Sequence, residues 1–223
     1  MIAALFVETG GCYFGLDGVE PWDEARDARK YLGPHRVVAH PPCQRWGKFW
    51  HGSTRKPHQF KKGDDGGCFK SALASIRLFG GVIEHPMDSH AWEAFNIPKP
   101  SRYGGWIPTG DGGWTCCVYQ GHYGHVAGKG TWLLVYGMRE RPPELIWGPC
   151  EQRLHPVAVA KHGIKKATRI GIMAMLGGKD KMRLRNATPA PFRDVLLNIA
   201  QQARGACCIN YAGHRGPCCY PGG

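Results

Sequence analysis

Val37-Val38-Ala39 is a short apolar run that meets His40 and then two successive prolines, Pro41 and Pro42, with Cys43, Gln44, Arg45 and Trp46 directly behind them. The run reads as a buried strand, and the double proline ends it, because neither ring nitrogen can donate to a ladder. The same punctuation recurs along the chain. IAALFV (2–7) runs into the turn Gly10-Gly11, and GGVIEHP (80–86) closes on a proline. WTCCVYQ (114–120) and TWLLVY (131–136) read as two further strands, hairpin partners or neighbours in a larger sheet, joined by GHYGHVAGKG. Between the strands, CFKSALASIRLF (68–79) has apolar positions at helical spacing, and DEARDARK (23–30) has helix-forming composition. FRDVLLNIAQQAR follows Thr188 and prolines 189 and 191, which predicts a helix opened by a threonine cap. Short buried strands alternating with helices predict a compact α/β, Rossmann-like domain.

Charge narrows the partners. The 223 residues carry 29 Lys and Arg against 17 Asp and Glu, a formal charge of +12, which predicts a polyanionic partner whose phosphates those side chains would neutralise. No apolar run approaches the ~18 residues that a membrane span needs. The start, MIAALFVETGG, lacks a basic leader and reads as a first strand rather than a signal peptide. Ten cysteines without an export signal predict thiols or metal ligands in a reducing, cytoplasmic compartment rather than disulfides.

In open α/β sheets, substrates bind at the carboxyl ends of the strands. Three such ends carry reactive side chains: Cys43 after VVAHPP, Glu84 after GGVI, and Gln120 with His122 and His125 after WTCCVY. A thiol, a carboxylate and imidazoles at neighbouring strand ends suit covalent catalysis. RWGKFWHGSTRKPHQFKKGDDGG (45–67) is aromatic, basic and bounded by Gly-Gly, and reads as a mobile loop that would close over the site.

The order of these elements resembles the DNA cytosine-5 methyltransferase family. Leu5-Phe6 with Gly10-Gly11 is similar to that family's glycine turn beneath the methyl donor, and Pro41-Pro42-Cys43-Gln44 to its nucleophile motif. Glu84 in VIEHP stands where the family has glutamate-asparagine-valine. Gln120 resembles the glutamine of its glutamine-arginine motif, and TPAPFRDVLLNIA its closing helix. The resemblance implies an S-adenosylmethionine-dependent transferase that acts on DNA as a monomer in the cytoplasm of a bacterial or phage-infected cell. Cys43 would add to carbon 6 of a cytosine taken out of its stack, with its pKa depressed by Arg45 or a helix start. Glu84, partly desolvated and so readily protonated, would donate to ring nitrogen 3. Phe6, Glu8, Gly10, Gly11 and Pro41 would hold S-adenosylmethionine or a derivative of it, with Glu20 or Asp23 on the ribose hydroxyls. Gln44, Arg45, Trp46, Lys48 and Lys129 would contact DNA, with Trp46, Phe49, Trp50 and Phe60 filling the gap or stacking.

The chain departs from the family pattern at three places. Too few residues separate Gly11 from Cys43 for the family's usual three strand–helix units. His85 replaces the expected asparagine, and the arginines expected after Gln120 are missing, so His122, His125 or Lys129 would orient the base. The compressed donor region leaves open a donor bearing a larger group, such as carboxymethyl, or another pyrimidine substrate. Residues 1–137, completed by helix 189–204, form the expected catalytic domain. Residues 138–188, with eleven Lys or Arg against four Asp or Glu, form a small basic target-recognition region in which Lys165, Lys166 and Arg169 would grip phosphates. The tail 205–223 carries Cys207, Cys208, His214, Cys218 and Cys219, whose spacing is not that of familiar zinc ligands. A rival from another class is a non-catalytic nucleic-acid-binding protein with a zinc-binding tail.

Overall fold

The computed structural model describes residues 1–48, 50–53, 56–57, 61–150, 154, 156–170 and 184–206. In chain order the strands are β1 (Ile2–Leu5), β2 (Val19–Trp22), β3 (Arg36–Ala39), the small hairpin β4 (Gly52–Ser53) and β5 (Lys56–Pro57), β6 (Gly81–Pro86), β7 (Ile107–Pro108), β8 (Trp114–Tyr119) and β9 (Gly130–Tyr136). The helices are α1 (Cys68–Phe79), α2 (His90–Ala94), α3 (Pro156–Ile170) and α4 (Ala190–Gln202). Seven strands form one mixed sheet in the order β2-β1-β3-β6-β9-β8-β7.

Strands β2, β1, β3 and β6 are parallel, whereas β9 pairs antiparallel with β6 and β8 antiparallel with β9. The two strands read as a hairpin are therefore also neighbours in the larger sheet. β8 runs in the same sense as the parallel set, so the carboxyl ends of β1, β2, β3, β6 and β8 all reach one edge. The two border strands each contain a proline, Pro21 and Pro108. Proline is tolerated at a border because it has no amide hydrogen to lose from a ladder.

Both faces of the sheet are covered, which explains why its strands are near-continuous apolar runs. Side chains alternate between two cores. Leu5, Val37, Ala39, Ile83, Trp132 and Leu134 face the side of α1 and α2, while Ala4, Val38, Val82, Leu133 and Val135 face α4. Cys117 and Cys116 fall on opposite faces of β8 by the same period and are both fully buried. On α1, Phe69, Ala72, Leu73, Ile76 and Phe79 form the buried stripe at helical spacing. Each large member contributes roughly 1.5–3 kcal/mol through burial, before the entropy of ordering it is subtracted. Gly81 opens β6 at φ +141°, where a Cβ would stand 1.9 Å from the Val37 carbonyl oxygen, so only glycine lets β6 pair with β3.

Two local expectations change. DEARDARK forms only a 3₁₀ turn over Ala28–Lys30, because Asp27 adopts a left-handed conformation (φ +53°) that breaks any longer helix. Helix α4 starts at Ala190 with Pro189 as its cap, and no side chain caps it, so Thr188 does not play that part. The basic region, whose sequence carries little strand pattern, contains α3, broken at Gly163 (φ +72°). Among the described residues no helix is long and apolar enough to cross a membrane.

Candidate active site

The double proline places Cys43 just beyond the carboxyl end of β3. Pro41 is buried and Pro42 exposed, and the Cys43 carbonyl accepts from the amides of Trp46 (3.0 Å) and Gly47 (2.7 Å), which curls the chain into a helical turn. That turn is anchored from below. The Trp46 indole donates to Asp65 Oδ2 (2.8 Å), the same oxygen that accepts from the Phe69 amide at the start of α1. His90 donates its amide to the Trp46 carbonyl at 2.8 Å. Trp46 is therefore a core residue at 7% exposure, packed near Phe69 and Phe95, and not the base-stacking DNA contact expected of it. Gln44 and Lys48 are exposed and Arg45 half-buried around the same turn, while Phe49 and Phe60 lie outside the described residues.

Beside this turn lies a chain of hydrogen bonds centred on Glu84, the last buried carboxylate of β6. His40 Nδ1 lies 2.9 Å from Glu84 Oε2, and the Tyr13 hydroxyl lies 2.8 Å from His40 Nε2. On the other side, Gln120 Nε2 donates to Glu84 Oε1 and to Thr131 Oγ1, both at 3.0 Å. Glu84 and Gln120 arrive from β6 and β8, separated by the antiparallel β9 that carries Thr131. The sequence pointed to Glu84 and Gln120 but missed His40 and Tyr13. His40 had a signal: it is the first residue after β3, at the same edge as the other strand ends.

The charges differ from expectation. Burial, the largest influence on Glu84, raises its pKa, but the His40 hydrogen bond and the Lys129, His40 and His85 charges outweigh it and bring the carboxyl down to about 2. Glu84 is therefore an anion near neutral pH, not the readily protonated acid that burial alone would make it. The Cys43 thiol is raised rather than depressed. Burial pushes it up most and the Glu84 charge adds to that, while Arg185 and Lys129, not Arg45, pull it down. Lys129 itself is lowered, by burial first.

His122 Nε2 lies 3.0 Å from the Gly148 carbonyl. His125 Nδ1 accepts from the Ala127 amide at 3.0 Å, and its Nε2 donates to the Leu184 carbonyl at 3.0 Å. Both nitrogens of His125 and the Nε2 of His122 are engaged by backbone groups, so both rings fasten chain segments. Lys129 Nζ donates to the Ala187 carbonyl at 2.9 Å. These contacts hold residues 184–187 at the carboxyl edge of the sheet and bring the unforeseen Arg185 into the field of Cys43.

At the neighbouring ends of β1 and β2, Phe6 is left-handed (φ +58°), a conformation that costs a non-glycine residue energy. Gly10 (φ +68°) has no atom within 4 Å of where a Cβ would stand, so the turn borders open space. Glu8 is exposed and Gly11 half-buried. Asp23, directly after β2, accepts from the Thr9 hydroxyl at 2.8 Å, which ties the glycine turn to that strand end. Glu20 lies within β2 and is paired with Arg26 at 2.7 Å. Of the two acids, Asp23 is the one at the carboxyl edge.

In α3, Lys165 and Lys166 are exposed, and the side chain of Arg169 lies outside the described residues. So do Cys207, Cys208, His214, Cys218 and Cys219. Among the described residues no group of three or more His, Cys, Asp or Glu could hold a metal ion. A cleft of about 280 Å³ lined by Ile2, Val19, Arg36 and Asp194 lies at the opposite edge, where β1, β2 and β3 begin, and holds none of this chemistry.

His85 adds a stability device. It is fully buried, with Nδ1 2.7 Å from the Ser89 hydroxyl, and burial lowers its pKa from 6.5 to about 4. The unfolded chain binds this proton first, so stability falls as pH drops from 6.5 to about 4. Glu84 continues the loss between 4.5 and about 2. The urea midpoint should fall between pH 7 and 4, by roughly 2–3 kcal/mol for His85. His85→Asn should flatten that stretch of the curve; an unchanged slope would remove His85 as its source.

Comparison with known proteins finds no family model, curated protein or solved structure that matches the chain.

Proposed function

We propose that the protein is a cytosine carbon-5 transferase acting on DNA, in which Cys43 adds to carbon 6 of an unstacked base. The observation that carries this reading is the half-buried Cys43 at the strand edge, within the field of a Glu84 carboxylate held by both His40 and Gln120. A sulfur nucleophile beside a fixed, hydrogen-bonded carboxylate suits attack on a flat, polar ring. The mixed α/β sheet is compatible with the Rossmann-like architecture that the sequence resemblance implies.

The donor would be S-adenosylmethionine or a derivative, supplying an electrophilic one-carbon group. The residues present fit it. Gly10 leaves its turn bare, and Asp23 retains lone pairs for ribose hydroxyls after accepting from Thr9 and from the Arg26 amide. Pro41 and Phe6 would border that ligand from β3 and β1. Lys129 and Arg185 stabilise the Cys43 thiolate, while the exposed Gln44, Lys48, Lys165 and Lys166, together with Arg45, would meet the nucleic acid backbone.

A uracil ring is the second reading, and the ionisation of Glu84 favours it. A carboxylate accepts the hydrogen that uracil already carries on nitrogen 3, whereas cytosine needs a proton there. Incubation with DNA containing 5-fluorocytosine plus donor should trap a sulfur-linked complex that maps to Cys43. A folded protein that gives no complex, or one linked elsewhere, would overturn the covalent route; a complex formed only with 5-fluorouracil would select the second reading.

A further inference from the structure

On the cytosine reading Glu84 would meet the base, yet as an anion it has no proton to give. Attack at carbon 6 of cytosine pushes the electron pair of the carbon 5–carbon 6 double bond into the ring toward nitrogen 3, which then needs a proton. Two donors bond the carboxylate. The Gln120 amide hydrogen is not acidic, so only His40 Nδ1 can release a proton into this contact. Lys129 donates to the Ala187 carbonyl, and among the described residues no hydrogen bond joins it to Glu84.

We propose that His40 is a positioning residue that carries the proton needed at nitrogen 3 and delivers it through Glu84. This deepens the cytosine reading and rests on it. His40 Nδ1 lies 2.9 Å from Glu84 Oε2, while the Tyr13 hydroxyl lies 2.8 Å from Nε2 and fixes the ring plane. As the Cys43 thiolate forms the sulfur–carbon 6 bond, the imidazolium gives its Nδ1 proton to Glu84, which passes a proton to nitrogen 3. His40 ends neutral, Glu84 remains an anion and nitrogen 3 carries hydrogen. On reversal the sulfur–carbon bond breaks with its pair kept by sulfur, and the proton returns by the same route. The relay is largely sheltered, with the His40 side chain 13% and that of Glu84 10% exposed.

The charged and titratable groups around the relay come from several elements. They are Tyr13 in the loop after β1, Cys43 in the turn after β3, Glu84 and His85 on β6, Lys129 before β9, and Arg185 before α4. Arg193 on α4 acts on Tyr13 from behind. Of these, Cys43 must lose its proton and His40 must keep one, so the rate should rise with thiol ionisation and fall with loss of the imidazolium.

The test uses hydrogen exchange at carbon 5, which needs no donor. Once sulfur is attached, carbon 5 takes a deuteron from D₂O, loses its original proton, and the base is released with sulfur leaving. Exchange into a cytosine-containing single-stranded oligonucleotide is followed by mass across pH. The full-length wild type should show a bell-shaped profile. His40→Asn keeps an N–H donor toward Glu84 but cannot titrate; it should exchange roughly 10²-fold more slowly and lack the alkaline limb. Tyr13→Phe should keep that limb but displace it, and serves where His40→Asn melts below assay temperature. A folded His40→Asn protein with the wild-type rate and both limbs, or an unmoved limb in Tyr13→Phe, overturns the assignment of His40. Absence of exchange in the wild type, matching Cys43→Ala, overturns the cytosine reading itself.

Discussion

Cys43→Ala should abolish group transfer to DNA, by roughly 10³-fold or more, because no other side chain can form the covalent adduct. Its fold should survive, since Cys43 is half-buried and the turn around it is held through its carbonyl and through Trp46 and Asp65. DNA affinity should change little, because phosphate contacts would come from lysines and arginines elsewhere. Turnover and binding must therefore be measured separately, by transfer of label from the donor and by titration at fixed salt. Full turnover in a folded Cys43→Ala protein would sink the covalent mechanism. Intact binding with no turnover even in the wild type would instead favour a non-catalytic DNA-binding protein.

Glu84→Gln should act in two directions at once. Removing the carboxylate breaks the path from His40 to the base, and transfer should fall roughly 10²- to 10⁴-fold. The same change removes an anion that raises the Cys43 pKa, while leaving the Arg185 and Lys129 charges that lower it. The thiol should then ionise at lower pH and react faster with iodoacetamide near neutrality. A purely structural role for Glu84 would lower both rates together. Opposite movements of turnover and alkylation identify the carboxylate as a working part of the site.

Much of the frame was legible because its signals are local. Strands ending on Pro41-Pro42, on Pro86 and on Gln120 are short apolar runs with abrupt stops, and the structure ends or turns them there. The α1 stripe and the split of Cys116 and Cys117 between two cores follow from the helical and strand periods alone. What escaped depended on contacts between distant segments. Tyr13 and His40 meet across 27 positions, and His125 reaches Leu184 across 59. Trp46 looked like a surface aromatic in a basic stretch until Asp65 drew its indole inward. The ionisation of Glu84 was misjudged for the same reason. Burial was foreseeable, whereas the hydrogen bond and cations that outweigh it were not.

The late strand β9 has a consequence for how the molecule is made. It lies between β6 and β8 although it is synthesised after both, so a growing chain on the ribosome exposes a sheet with a missing centre. Cys43 and Glu84 emerge early, but Gln120 gains the Thr131 hydroxyl that shares its amide with the carboxylate only once β9 slots in, and α4 seals β1, β3 and β6 only at the end. Translation thus delays completion of the site: a nascent polypeptide stalled before residue 130 holds Cys43 and Glu84 without Arg185 and without the Thr131 hydroxyl that steadies Gln120.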